Sequence, residues 1–188
     1  AANNVLAHVP DTRSFMAGFA GMLAAEGVAT FEFPHILRMI EGLQFDTIYH
    51  DHFFYLSLGV VERIAASAGL RVFDVEELPT HGGSLRVFVC HEAASHPVTG
   101  RVADVRRAEH EAALDRIDGY LSFNSRIGRA RDLFLDFLAR ARRDGRTVAA
   151  YGAAAKGNTF LNFCGVGPGD IGAVFDRNPA KQGKLTPG

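Results

Sequence analysis

The stretch Glu26-Gly27-Val28-Ala29-Thr30-Phe31-Glu32-Phe33-Pro34 decides the fold class. Val28 to Phe33 is rich in β-branched and aromatic side chains, which suit a pleated, half-buried surface; Pro34 cannot donate to a strand ladder and closes the strand. Upstream, Thr12 to Ala25 places Phe15, Met16, Phe19 and Leu23 at helical spacing behind Asp11, a residue type that caps helix N-termini. Helix, glycine turn and strand in that order describe part of an α/β unit. Downstream, a helix is predicted from Ser57 to Ala68, with Gly69 just past its end. Arg71 to Leu78 and Ser84 to Cys90 then read as strands joined through Pro79-Thr80-His81-Gly82-Gly83, and so short a connection makes them antiparallel neighbours.

From Val102 to Arg143 charge rises, glycine thins and leucines recur at helical spacing, which predicts two helices broken near Ser122 to Ile127. Thr147 to Gly152 opens a further strand, a helix follows from Lys156 to Phe163, and Ile171 to Asp176 completes a βαβ unit of the nucleotide-binding type. Both ends are expected to be cut. The chain enters at Asn3-Asn4-Val5-Leu6-Ala7-His8 without the preceding strands of a parallel sheet, and Thr186-Pro187-Gly188 stops where the βαβ unit feeds further strands.

With 188 residues and 47% hydrophobic content the chain can bury a real core. A net charge of -1 gives no bulk electrostatic reason for nucleic acid or an anionic membrane as partner. The apolar runs fall far short of the roughly 20 residues a spanning helix needs, and the N-terminus lacks the order of a signal peptide, so a soluble cytoplasmic protein is expected. Cys90 and Cys164 stand alone, suggest neither a disulfide framework nor a CxxC zinc site, and read as small buried residues.

The densest polar cluster is Thr47-Ile48-Tyr49-His50-Asp51-His52, between a strand end and a helix start, where α/β folds place ligands. Two imidazoles, a phenol and a carboxylate can supply a base, an orienting partner and an oxyanion donor. A polar loop fits equally, as does a metal pair made by His50 and His52 on one strand face. A second feature is Tyr151 to Thr159, where Gly152 permits close backbone approach, a helix N-terminus offers N–H groups, and Lys156 adds a charge. The order GxxxxGK followed by Ser or Thr is absent, as is GxGxxG; ATP hydrolysis and ordinary NAD binding lose weight. Asp176 stands at a strand end where a ribose hydroxyl is often bound, followed by Asn178, Lys181 and Lys184. His81-Gly82-Gly83-Ser84 reads first as turn chemistry. His91, His96 and His110 read as surface residues, and His35 stays open between roles.

Asn3 to Asp11, Phe31 to His35 and Gln44 to His52, together with His81 to Arg86, Gly152 to Thr159 and Asp176 to Lys184, resemble in order the sugar C-methyltransferases of deoxysugar biosynthesis, including the C-3 methyltransferases of tetronitrose formation. The resemblance implies an α/β fold: residues 1–99 as the second half of a class I methyltransferase sheet closed by the Arg71 to Cys90 hairpin, 100–145 as a helical connection, and 146–188 as the start of a Rossmann-like domain. It implies S-adenosylmethionine as cofactor, with its main glycine-rich loop upstream of Ala1, and zinc in a family domain that precedes this chain, with no metal site here. The implied substrate is a nucleotide-linked keto-sugar. The implied chemistry is proton abstraction beside the ketone, then methylation of the enolate, with His52 as base and Tyr49, Asp51 and His8 orienting it or stabilising the oxyanion. Asn4, Glu32 and Pro34 are implied at the cofactor, and His81, Lys156, Asn158, Asp176, Asn178 and Lys184 at the nucleotide-sugar. Asp51 departs from the Tyr-His-Glu-His pattern common in the family, being one methylene shorter. A non-catalytic nucleotide-sugar-binding module and an NAD-dependent sugar oxidoreductase are the competing classes.

Overall fold

A computed structural model of the chain describes residues 1–186. Pro187 and Gly188, part of the stretch at which the C-terminus is expected to be cut, lie outside the described residues. Two compact units form: Ala1–Gln44 with His50–Ser122, and Phe45–Tyr49 with the residues from Phe123 onward.

The first unit is built on a four-stranded sheet of order β1 (Ala2–Asn3), β2 (Ala29–Pro34), β4 (Ser84–His91), β3 (Leu70–Leu78). β1 and β2 run parallel, whereas β4 is antiparallel to β2 and to β3. Hence β1, β2 and β3 share a direction and end on one edge of the sheet. The expected hairpin is present, one residue longer at each outer end, with a bulge between Val72 and Asp74. Alternation sets the core face: Phe31 and Phe33 of β2 lie beside Leu85, Val87 and Val89 of β4 and Val72 and Val75 of β3. Helices α1 (Thr12–Met22) and α3 (Leu58–Ala66) cover this face with Met16, Leu58, Val61 and Ala65. Burying each large side chain contributes about 1.5–3 kcal/mol. Phe15 and Phe19 meet Phe31 edge-on at 6.2 and 4.7 Å.

Both helices start as expected: the Asp11 carboxylate accepts from Ser14 N at 3.0 Å, and Ser57 Oγ from Val60 N at 3.2 Å. α1 ends three residues earlier than predicted because Leu23 has already turned to extended backbone. The sequence reading missed α2 (Ile36–Glu41), which starts after His35 and buries four of its six residues. The predicted helix break is also corrected. α4 (Gly100–Glu111) and α5 (Asp118–Arg143) are separated at residues 112–117, where Ala113 takes a φ of 56°. Leu114 turns inward there, with Tyr120 Oη donating to its carbonyl at 2.9 Å. Ser122 to Ile127 lie inside α5, and the exposed Ser122, Asn124 and Ser125 face water, where weak helix formers cost little. His91 and His96 are half-buried rather than surface residues, donating to Leu23 O and Glu26 O. His96 also stacks on Phe73 at 4.8 Å. His110 is exposed, as read, and Cys90 and Cys164 are buried, as read.

In the second unit β5 (Ala149–Tyr151) and β6 (Ala173–Phe175) pair in parallel through α6 (Ala155–Cys164), giving the expected βαβ unit. Phe45 enters an aromatic cluster with Phe163 at 4.9 Å and Phe160 at 6.0 Å, and Phe134 packs on Phe160 at 4.9 Å. Among the described residues no helix is long and apolar enough to cross a membrane.

The hairpin turn is sterically tight at Gly83, with a φ of 122°, where a Cβ would lie 2.6 Å from Arg38 Cβ. Gly83→Ala is expected to destabilise the protein by about 2 kcal/mol or more, read from urea unfolding. Asp74 ties the hairpin to α4 by accepting from Thr99 Oγ1 and the Arg101 guanidinium, which holds its carboxyl below the usual aspartate range. A lowered folded pKa contributes stability above the ordinary value of about 3.9 and loses it as pH falls through the folded value. The stability gap between the wild type and Asp74→Asn is therefore expected to narrow between neutral pH and about pH 3, measured by urea unfolding at both.

Candidate active site

Three chain segments leave the sheet at the shared carboxyl edge. β1 exits through Asn4 into a helical turn at Leu6–His8, β2 passes from Pro34 to His35, and β3 feeds the turn Thr80–Gly82. Ligands of α/β sheets bind outside such an edge. The loop that returns at His50 is pinned to it: Phe53 N and Phe54 N donate to Ala7 O at 2.9 and 3.3 Å, and Ile36 N donates to Leu56 O at 3.0 Å.

This pinning brings together two histidines far apart in sequence. The His8 and His52 rings lie 4.8 Å apart between centroids, tilted by 44°, and Tyr55 meets His52 edge-on at 6.0 Å. His8 Nδ1 donates to Asp51 O at 2.6 Å. A carbonyl only accepts, so Nδ1 carries the hydrogen and the neutral ring keeps its lone pair on Nε2. His8 is exposed and His52 half-buried. The Asp51 carboxylate sits 3.0 Å from His50 Nε2, with both side chains exposed. Tyr49, half-buried, is grouped with the second unit and donates its N–H to Thr47 O at 3.1 Å. Residues 48–55 form no strand, so the strand-face metal spacing of His50 and His52 is not realised.

Asn4 adopts a left-handed φ of 55°, donates its N–H to Glu32 O at 2.7 Å, and keeps a buried Oδ1 that has no partner among the described residues. That acceptor fits a ligand bringing a hydroxyl or amine donor, as S-adenosylmethionine does. Glu32 is 5% exposed, and its carboxylate is held by Arg86 at 2.9 Å and by Thr80 Oγ1 at 3.2 Å. Pro34 ends β2 opposite Ser84. His81 is exposed in the hairpin turn with a φ of 55°, beside Gly82, whose carbonyl accepts from Gln44 Nε2.

Sequence reasoning missed one buried pair. His35 Nε2 lies 2.8 Å from Glu109 Oε1, with the residues 1% and 7% exposed. The same carboxylate accepts the N–H groups of Leu58 and Gly59 at the start of α3, where the helix dipole favours negative charge. Glu109 lies 74 residues from His35 and reads in sequence as one more charge on a polar helix. Its position one turn from the end of α4, beside the buried Val105, is the only signal the sequence carries.

In the second unit Gly152 has a φ of 97° and leads into an α6 N-terminus that no side chain caps. Lys156 and Asn158 lie in its first turn, half-buried, and the Asn158 carbonyl accepts from Asn162 Nδ2. Asp176 accepts from Asn178 N and Ala153 N, both at 2.8 Å, and pairs with Lys181 Nζ at 3.4 Å. Those backbone donors hold its carboxyl below the usual range. Asn178 Oδ1 accepts from Ala180 N at 3.0 Å, and Lys184 is exposed. Asp176 thus joins the loops after β5 and β6 into one rim.

Residues 79–188 match the family described as C-methyltransferase C-terminal domain. The chain is also 38% identical over 182 residues, 97% of its length, to C-methyltransferase NovU of Streptomyces niveus. It spans 43% of the length of that relative. On the family match, the relative and the sheet order together, this chain belongs to the C-methyltransferase family and carries its C-terminal domain.

Proposed function

We propose that this chain supplies the proton-abstracting side of a C-methyltransferase that acts on a nucleotide-linked keto-deoxysugar. The observation that carries the reading is the convergence of His8 and His52 on the carboxyl edge of the sheet, with ring centroids 4.8 Å apart. An imidazole with a pKa near neutrality is largely free base at working pH and suits removal of a proton beside a ketone.

In this reading His52 takes the proton from the carbon beside the ketone, and the C–H electron pair becomes the enolate. His8, with its hydrogen directed by the Asp51 carbonyl, presents an imidazole beside His52 that tunes and orients the base. Tyr49 is assigned to the enolate oxygen, where a phenol donates a hydrogen bond that strengthens as charge develops. Asp51 keeps the His50 imidazole at the mouth of the loop. Asn4 and the backbone near Glu32 and Pro34 are assigned to S-adenosylmethionine, which when bound supplies an electrophilic methyl group. In the second unit the uncapped start of α6, Lys156, Asn158 and the Asp176 to Lys184 rim are assigned to the nucleotide-sugar, since helix N-termini and lysine charges suit phosphate.

The test isolates the base from methyl transfer. The full-length enzyme incubated in deuterated water with a thymidine-diphosphate 4-keto-6-deoxysugar, and without methyl donor, is expected to exchange the proton beside the ketone, followed by NMR. His52→Ala is expected to slow that exchange by about 100-fold or more with little change in stability. Normal exchange in the variant removes His52 from the base role, and no exchange by the wild type across several such sugars overturns the substrate class. Lys156→Ala is expected to weaken nucleotide-sugar binding by about tenfold in titration calorimetry, the size of one charge-assisted contact; unchanged affinity returns that loop to a purely structural role.

A further inference from the structure

Glu109 and His35 lie outside every role assigned above, yet they form a buried side-chain contact, with the residues 7% and 1% exposed. Two nearly buried ionisable groups persist only where geometry and hydrogen bonding compensate their desolvation. Here the Glu109 carboxylate accepts from three N–H donors: His35 Nε2 and the amides of Leu58 and Gly59. Because the carboxylate only accepts, Nε2 carries a hydrogen of His35, and the buried Nδ1 has no partner among the described residues.

What the pair touches is the strap that carries His52. Residues 52–57 run from His52 to Ser57, the N-cap of α3. At the start, Phe53 N and Phe54 N are held by Ala7 O. In the middle, Leu56 forms a parallel bridge with His35 and accepts from Ile36 N. At the end, Leu58 and Gly59 are held by Glu109. His35 is itself fixed to the hairpin, since its N–H donates to Gly83 O at 3.0 Å. The stretch from His52 to Gly59, anchored at three points, has almost no slack, and two of the three anchors meet at the His35–Glu109 contact.

We infer that Glu109 and His35 are a positioning pair: by clamping the C-terminal end of the strap they set the placement of His52 against His8. The inference rests on His52 being the base only where exchange is the readout; the ring geometry can be read without it. The experiment uses the full-length protein with histidine rings labelled with carbon-13, comparing wild type, Glu109→Ala, Glu109→Gln, His35→Ala and His35→Gln. Circular dichroism checks folding. His35→Gln keeps an amide N–H in reach of the carboxylate and serves as the conservative rescue.

The expected result is loss of the His8–His52 ring cross-peak in His35→Ala and Glu109→Ala, and its retention in His35→Gln. Exchange of the keto-sugar proton is expected to fall roughly 10- to 100-fold in kcat with KM unchanged in the two alanine variants, the size of an effect that follows a displacement near 1 Å. Should the alanine variants not fold, Glu109→Gln, which leaves one N–H facing an amide NH2, is expected to weaken the cross-peak and lower kcat in the same direction. A cross-peak of wild-type strength in folded Glu109→Ala, or in Glu109→Gln where only that variant folds, overturns the inference. If the wild type shows the cross-peak but no exchange, the proposed reaction fails and the cross-peak alone decides the positioning role.

Discussion

Glu32, Arg86 and Glu76 occupy one row across β2, β4 and β3, and Arg86 reaches both carboxylates, at 2.9 and 3.1 Å. A slip of β4 by one residue would lose both contacts and turn Leu85 and Val87 away from the core. Because the Glu32 carboxylate is nearly buried, its partner cannot be removed without leaving a desolvated charge. The row therefore fixes registry from one face while the apolar side chains fix it from the other. A flush edge results: Pro34 and Leu78 both end opposite Ser84. Every residue assigned to the site in the first unit lies on that edge, on a segment leaving it or on the His50 loop pinned to it.

The edge supplies a rigid base for loops that have little regular structure of their own. His8 and His52 lie 44 positions apart, and a single carbonyl, that of Ala7, accepts from the two residues after His52. Backbone hydrogen bonds of this kind cost less conformational freedom to maintain than contacts between long side chains, because only the main chain has to be ordered.

The strands and the larger helices were legible because their signals are local: alternation in Val28 to Phe33, a glycine turn inside the hairpin, caps at Asp11 and Ser57. The helix break lies earlier than Ser122 to Ile127 because solvent exposure removes most of the cost of Ser122, Asn124 and Ser125 within α5, while the inward turn of Leu114 decides the boundary. α2 escaped notice because six residues are too few for a helical period to emerge. The cluster at Tyr49 to His52 stood out by composition, and His8 entered through the family resemblance. His35 and Glu109 did not stand out, since a pair separated by 74 residues has no periodic or motif signature. His96 misled in the opposite direction, a polar residue that stacks on Phe73 once the chain folds.

The excursion of Phe45–Tyr49 gives the chain an unusual topology. The path leaves the first unit after Gln44, contributes five residues to the second, returns at His50, and leaves again after Ser122. Neither unit is a continuous segment, so three peptide crossings join them instead of one. A single protease cut at any one crossing leaves the two units covalently linked. Nor can recombination move the second unit intact as a terminal block, because its aromatic cluster would arrive without Phe45. Exchange of parts between relatives is thereby constrained to carry the segment before the His50–His52 loop along with the C-terminal unit.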